Sequence, residues 1–168
     1  LSGEKLDSKE PFKDINFILS KGEILGIAGV EGNGQRELTE SILGIYPLSQ
    51  GTITVDGINI DNMATRQRRS LGINFIPEDR QTQGLVMDNS LIENAMLGRQ
   101  NKDMYKTRFK SVNFKNSRKF SNKIIDQYDV RTPNSSTLAL ALSGGNQQKF
   151  VVGRELEDNP SLLVASQP

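Results

Sequence analysis

Glu23-Ile24-Leu25-Gly26-Ile27-Ala28-Gly29-Val30-Glu31-Gly32-Asn33-Gly34-Gln35-Arg36-Glu37-Leu38 joins a short apolar run, a glycine-rich turn and a helix opening without a break. Ile24 to Ala28 is almost continuously apolar and reads as a strand covered on both faces. Beyond the turn, Leu38, Ile42 and Leu43 recur at near-helical spacing, and Gly44 supplies a C-terminal stop. Strand, glycine turn and helix in this order predict an α/β architecture. Three glycines let successive backbone N–H groups point into one concavity at a helix N-terminus, where an anion is favoured.

The rest of the chain extends this pattern. Upstream, Ile15, Phe17 and Leu19 alternate with polar neighbours before a Ser20-Lys21-Gly22 turn, so residues 12–28 read as two strands. Downstream, Ile53 and Val55 alternate and Asp56-Gly57 marks a hairpin before Ile58-Asn59-Ile60. Ala64 to Leu71 reads as a short basic helix, and Ile73 to Ile76 as a strand ended by Pro77. Ser90 with Glu93 three residues on predicts a capping box. Phe120, Ile124, Ile125 and Tyr128 share one face of a helix over 114–128. A further helix is expected from Ser143 to about Glu157, broken by Asn159-Pro160. A buried strand is expected at Ser161 to Ala165. The whole reads as α/β with an antiparallel appendage and a helical insert.

Composition narrows the chemistry. The 168 residues contain no Cys and no His. Disulfides, thiolate metal sites, a Ser-His-Asp hydrolase and a His-ligated zinc site are therefore excluded for this chain. No run of about 18 apolar residues is present, so no segment reads as a membrane-spanning helix. The N-terminal Leu1-Ser2-Gly3-Glu4-Lys5 lacks a secretory signal pattern, which leaves cytosolic exposure as the expectation. Leu1 in place of Met, and an end at Pro168 straight after an apolar run, read as a piece of a longer polypeptide.

The glycine turn has two readings. A phosphate-binding loop of the form G-x-x-x-x-G-K-[ST] would keep the frame Gly29…Gly34 and follow it with Lys and Ser or Thr. Here Gln35 and Arg36 stand at those places. Gln35 supplies no point charge to a phosphate, and Arg36 has no oxygen for Mg²⁺. The turn is either a packing device between strand and helix or a nucleotide loop that has lost its metal chemistry. On the second reading Gly29, Glu31, Gly32, Asn33, Gly34, Gln35, Arg36 and Glu37 are the candidate nucleotide-binding residues.

Leu142-Ser143-Gly144-Gly145-Asn146-Gln147-Gln148-Lys149 opens the last helix. Ser143 sits at the cap position, and Gly144 and Gly145 strip the turn of side chains, so its amides can approach an anion closely. The string resembles the signature motif of ATP-binding-cassette (ABC) transporter ATPases. It is similar, more narrowly, to the second nucleotide-binding domain of tandem ATPases that import simple sugars or nucleosides. Gly22-Glu23-Ile24, Gly51-Thr52-Ile53 and Ile76-Pro77-Glu78-Asp79-Arg80 fit the same family, so the resemblance covers essentially the whole chain.

The resemblance implies a P-loop NTPase-like ABC ATPase core with an antiparallel β subdomain and a helical subdomain. It implies a division into 1–89 (β-rich and P-loop part), 90–142 (helical subdomain) and 143–168 (signature helix and Walker B strand). The family's acidic pair after the last strand is replaced by Ser166 and Gln167, and Glu78 stands at the Q-loop position. Lysine, metal hydroxyl and both carboxylates are thus missing, so no residue is expected to be catalytic in this chain and no metal site is expected. ATP is expected to bind weakly here, or in trans: Leu142, Ser143, Gly144, Gly145, Asn146, Gln147 and Gln148 would face the ATP of a sibling domain, which would hold the Mg²⁺. For Gln147 and Gln148 a plain solvated helix face is the competing reading. Implied partners are that sibling domain, transmembrane permease subunits and, indirectly, a substrate-binding protein. The implied location is peripheral, on the cytoplasmic face of the cell membrane. The loss of both carboxylates leans the solute towards nucleosides.

Residues 90–131 carry 10 basic and 4 acidic groups, against 9 and 13 in residues 1–89. The basic insert has three readings: a solvated face, the commonest meaning of such a run; contact with anionic lipid or the permease; and nucleic acid. Phe109, Phe114 and Phe120 are spaced for core anchoring rather than base stacking, so nucleic acid is not expected. A soluble, non-transport cassette protein and a nucleotide-independent scaffold remain the alternative functions.

Overall fold

The computed structural model describes residues 14–30, 32–48, 50–100, 102–106 and 112–167. The chain divides into two compact units, Leu1–Thr65 and Arg66–Pro168.

In the first unit, helix α1 (Gln35–Leu43) starts at Gly34 and ends at Gly44, both in the left-handed region, at φ 93° and 76°. It buries Leu38, Ser41 and Leu43. Strands β1 (Thr54–Val55) and β2 (Ile58–Asn59) form the expected hairpin, with Thr54 opposite Asn59. Asp56 and Gly57 both have positive φ, 50° and 77°, the geometry a two-residue turn needs to match strand twist. The Asp61 carboxylate accepts from the Ile53 N–H at 2.7 Å and ties off the hairpin.

The segment before α1 departs from expectation. The Ser20–Glu23 turn forms, with the Glu23 N–H donating to the Ser20 carbonyl at 3.0 Å. Residues 14–28, however, form no strand among the described residues, and Ile24, Leu25 and Ile27 are exposed. An apolar run specifies that a segment can be covered, but a strand also needs ladder partners, which come from elsewhere in the chain. No described residue pairs with this run.

Helix α2 (Thr65–Ser70) leads into β3 (Ile73–Ile76), the first strand of the second unit. A π-helical turn (Arg80–Gly84), α3 (Leu91–Ala95), a 3-10 turn (Asp103–Tyr105), α4 (Phe114–Gln127), a second 3-10 turn (Ala139–Ala141), α5 (Gly144–Leu156) and β4 (Leu162–Ala165) follow. β3 and β4 pair in parallel, Ile73 with Leu162 through Ile76 with Ala165. β4 is half-buried rather than fully buried, because among the described residues it has only β3 as a neighbour.

The capping box at α3 forms in full. Ser90 Oγ accepts from the Glu93 N–H, and Glu93 Oε2 accepts from the Ser90 N–H at 2.8 Å. Ser90 thereby holds the Glu93 carboxyl below its ordinary pKa. Buried Asn94 donates to the carbonyls of Val86, Asn89 and Ser90, so a polar side chain fixes the approach to the helix.

Ile76, Leu85, Leu91, Ala95, Ile124, Val130, Ala139, Leu142, Phe150 and Val151 form the core of this unit. Phe150 and Val151, both fully buried, place α5 at its centre. Each such side chain contributes about 1.5–3 kcal/mol relative to exposure. α4 packs on α5 through Gly153: a Cβ there would lie 2.7 Å from the Tyr128 ring and 2.8 Å from Ile124 Cγ2.

Candidate functional site

The signature string folds as a helix N-terminus with unusual cap chemistry. Ser143 has the extended backbone of an N-cap, φ −63° and ψ 154°, yet its hydroxyl makes no bond to the first-turn N–H groups. Ser143 Oγ instead accepts from Asn146 Nδ2 at 2.9 Å. Asn146 Oδ1 accepts from the Arg131 N–H at 2.9 Å, so the amide that orients the hydroxyl is itself held. A serine hydroxyl that accepts here keeps its own proton to donate outward. Gly145 has nothing within 4 Å of its Cβ position, so the backbone is open on that side.

Gln147 is buried at 2% exposure and is no solvated residue. Its Nε2 donates to the carbonyls of Ala139 and Leu142, at 3.1 and 3.2 Å, and Gln81 Nε2 donates to its Oε1 at 3.1 Å. Gln147 therefore pins the loop before the signature to α5 and to the π-helical turn. Gln148 is half-buried, and its Oε1 has no hydrogen-bond partner among the described residues. Exposed Lys149 bonds to the Asp129 carbonyl and carboxylate, at 2.8 and 2.9 Å. That lysine holds the Asp129 carboxyl below its ordinary pKa.

Arg80 was not among the candidates from sequence, but it meets the signature directly. A Cβ on Gly144 would lie 2.6 Å from Arg80 Nη2, so the guanidinium rests against the first turn of α5. Arg80 Nε is buried with no hydrogen-bond partner among the described residues. The turn that carries it is fixed by Asp79, whose Oδ1 accepts from the N–H groups of Gln81 and Thr82 at 2.9 and 3.2 Å. The Thr82 side chain, then those N–H groups, keep the Asp79 carboxyl below its ordinary pKa. A guanidinium beside a helix N-terminus sets two positive poles together. The sequence signal was the Glu78-Asp79-Arg80 string, whose arginine carried no role until the fold set it against residue 144.

Glu78 follows β3, and Ser166 and Gln167 follow β4. The parallel register therefore carries all three to the same C-terminal edge of the pair, the edge where open α/β sheets bind ligands. Glu78 is exposed there. The Ser166 N–H donates to the Ile76 carbonyl at 2.9 Å, and Gln167 has a left-handed backbone, φ 45°. The only carboxylate among these three is Glu78.

In the first unit the glycine loop is closed by its own side chain. A Cβ on Gly29 would collide with the Gln35 side chain, and Gln35 Nε2 donates to the Val30 carbonyl at 3.2 Å. Gly32 has φ 87°, and the Asn33 N–H donates to the Val30 carbonyl at 3.2 Å. Arg36 pairs with Glu40 at 2.8 Å, and Glu37 is half-buried in the first turn of α1. Glu31 lies outside the described residues. Among the described residues no group of three or more His, Cys, Asp or Glu could hold a metal ion.

Behind the signature, the far end of α5 is anchored by buried charge. The Glu155 carboxylate is fully buried and meets Arg69 and Arg99 at 2.8 Å and Arg154 at 2.9 Å. Burial alone would raise its pKa. Arg154, Arg99 and Arg69 together outweigh that and hold it down to about 2. Burial in turn lowers the Arg154 pKa to about 10. Arg99 also reaches Asp158 at 3.2 Å, and Asn74 of β3 donates to the Glu155 carbonyl at 2.7 Å.

The comparisons with known proteins agree with this architecture. The profile of the ABC transporter family matches residues 12–168, and the chain belongs to that family. It is 44% identical over 162 residues to the guanosine import ATP-binding protein NupO of Bacillus subtilis, covering 95% of this chain and 31% of that protein. It is 36% identical over 168 residues to the ribose import ATP-binding protein RbsA of Clostridium perfringens, covering 100% and 33%. The chain thus spans about a third of the length of the curated relatives it matches. Among solved structures it resembles the dimeric post-hydrolysis state of the ATP-binding cassette MJ0796 bound to ADP and Pi. The TM-score is 0.72 at 21% identity, covering 92% of this chain and 65% of that one. The fold is that of an ABC ATPase cassette, within the P-loop NTPase class.

Proposed function

We propose that this chain is a nucleotide-binding domain of an importer ATPase for nucleosides or simple sugars, and that it acts in trans. It donates the amides of residues 143–145, with the Ser143 hydroxyl, to the triphosphate held by a sibling domain, while its own loop does no phosphoryl transfer. The observation that carries this is the contrast between the two glycine sites. At the signature, a serine hydroxyl held by Asn146 with its own proton left to donate, open glycine backbone and the Arg80 guanidinium come together. That set fits a phosphate. At the Gly29–Gly34 loop, Gln35 fills the space beside Gly29, and Arg36 pairs with Glu40. Gln35 stands where a phosphate-binding loop carries its lysine, so a Mg²⁺–triphosphate held there would lack that charge. Phosphoryl transfer depends on charge stabilisation by such groups, and of Glu78, Ser166 and Gln167 beyond β3 and β4 only Glu78 carries a carboxylate.

The sibling domain would bring the lysine, the Mg²⁺ and the carboxylates. Import names among the relatives support permease subunits and a substrate-binding protein as further partners, with the assembly at the cytoplasmic face of the membrane. The division into 1–89, 90–142 and 143–168 is one of role: own loop, helical insert, donated signature. Nucleic acid has no part in this reading.

Two measurements test it. The purified 168-residue chain should release no phosphate from ATP above a buffer control. Release that is lost in Gly34→Asp would overturn the claim of an inert loop. In the full-length ATPase, Gly144→Asp should abolish hydrolysis by setting a carboxylate against the phosphate. Undiminished turnover in that variant would remove the trans role.

A further inference from the structure

The outer face of α4 matches a partner that the nucleotide reading does not use. Lys115, Arg118, Lys119 and Lys123 are all exposed and lie within three turns on the side away from buried Ser117, Ser121 and Ile124. Lys123 pairs with Glu157. The arrangement works against the helix itself. Lys115 stands in a first turn with no acid, where the dipole disfavours a cation, and Asp126 stands in the last turn, where it disfavours an anion. Lys115 with Arg118, Lys115 with Lys119, and Lys119 with Lys123 are like-charge neighbours at helical spacing, which destabilises an isolated helix. Apart from the Lys123–Glu157 pair, the crowding of like charges on this face works against the helix and favours an anionic partner outside it.

Apolar side chains border the same end. Phe114, Met104 and Val112 are 53%, 47% and 40% exposed. They are held together, because Asn116 Nδ2 donates to the Met104 carbonyl at 2.7 Å and the Asn113 N–H to the Tyr105 carbonyl at 2.8 Å. A cavity of about 430 Å³ opens beside them, lined by Met104, Tyr105, Lys119, Lys123, Glu157 and Asp158 among others. Both acids are already engaged, Glu157 by Lys123 and Asp158 by Arg99 and Lys102.

We infer that this face seats on the surface of an anionic phospholipid bilayer. Lys115, Arg118 and Lys119 lie at headgroup level, and Phe114, Met104 and Val112 reach the acyl boundary. The cations stand on the convex face of a helix, with Phe114 and Val112 exposed beside them. A fluid surface satisfies both, whereas a folded acidic protein would need a matched concavity. The inference does not depend on the nucleotide reading and can fail without it.

The test is flotation of the purified full-length chain, free of other subunits, with vesicles of phosphatidylcholine alone or mixed with phosphatidylglycerol. Binding should require the anionic lipid and fall with added sodium chloride. The triple variant Lys115→Gln, Arg118→Gln, Lys119→Gln should weaken it on the order of 100-fold. Phe114→Ser, which keeps every charge, should weaken it several-fold. All four positions are exposed, and unchanged urea unfolding midpoints show that the variants fold. Equal binding to neutral vesicles, no binding to either, or full binding by the triple variant would overturn the inference. So would polyglutamate binding as tight as the vesicles' and indifferent to Phe114→Ser, since the partner would then be an acidic protein.

Discussion

Gln35 and Arg80 show how one side chain decides what a glycine turn can do. At Gly29 the neighbouring Gln35 folds back and occupies the turn. At Gly144 the neighbour is a guanidinium whose buried Nε has no hydrogen-bond partner among the described residues, so the turn gains positive charge. A charge-assisted hydrogen bond contributes about 1.5–3 kcal/mol. Arg80→Ala in the full-length ATPase should therefore lower kcat/KM for ATP by roughly 10- to 100-fold. Arg80→Lys should restore part of that loss while leaving the urea midpoint where Arg80→Ala leaves it. If the two variants are equally impaired and equally destabilised, Arg80 only packs against the turn.

At the scale of elements, α5 owes its position to contacts far along it from the signature. Gly153 lets α4 close onto it, with Tyr128 and Ile124 against the bare backbone. Added volume there forces side chains off their rotamers. Gly153→Val should cost about 1–3 kcal/mol, read as a drop in the urea midpoint at unchanged slope. The first turn of α5 would also lose register, so kcat of the full-length ATPase should fall although the substitution lies more than two helical turns from Ser143. An unchanged midpoint would mean that the helix pair relaxes freely around the new side chain. Elements without such a partner behave differently: the apolar run from Ile24 to Ala28 finds no ladder among the described residues and stays exposed.

For the second unit as a whole, the Glu155 cluster is the main electrostatic commitment. It ties the residues after α3, the end of α2 and β3 to the C-terminal half of α5. Removing one partner of a buried ion pair leaves charge unpaired, here three guanidiniums. Glu155→Gln should cost about 3–5 kcal/mol, measurable by urea unfolding at neutral pH. The pH dependence follows from the sign of the shift. The folded pKa of Glu155 is depressed to about 2 from an ordinary 4.5, so its contribution is complete above the unfolded value. It is lost as pH falls from about 5 through 2. An acid titration of stability should fall across that window in the wild type and more shallowly in Glu155→Gln. Parallel curves would place the acid sensitivity elsewhere.

The signature string, the Ser90–Glu93 box, the Asp56-Gly57 turn and the amphipathic face of α4 were all legible in the chain, because each depends on residues within a turn or two of one another. The same locality made the side chains at Gln35, Arg36, Ser166 and Gln167, on which the proposed loss of phosphoryl transfer rests, readable from the chain. What the sequence by itself determined, then, is the family and the chemical stock of each loop. Tertiary structure alone decided that Arg80 faces Gly144, that Gln147 is buried rather than solvated, that Gly153 is a contact point, and that three arginines share one carboxylate. Those facts join residues tens of positions apart. Local periodicity measures only whether a side chain can be buried, while packing chooses what it is buried against.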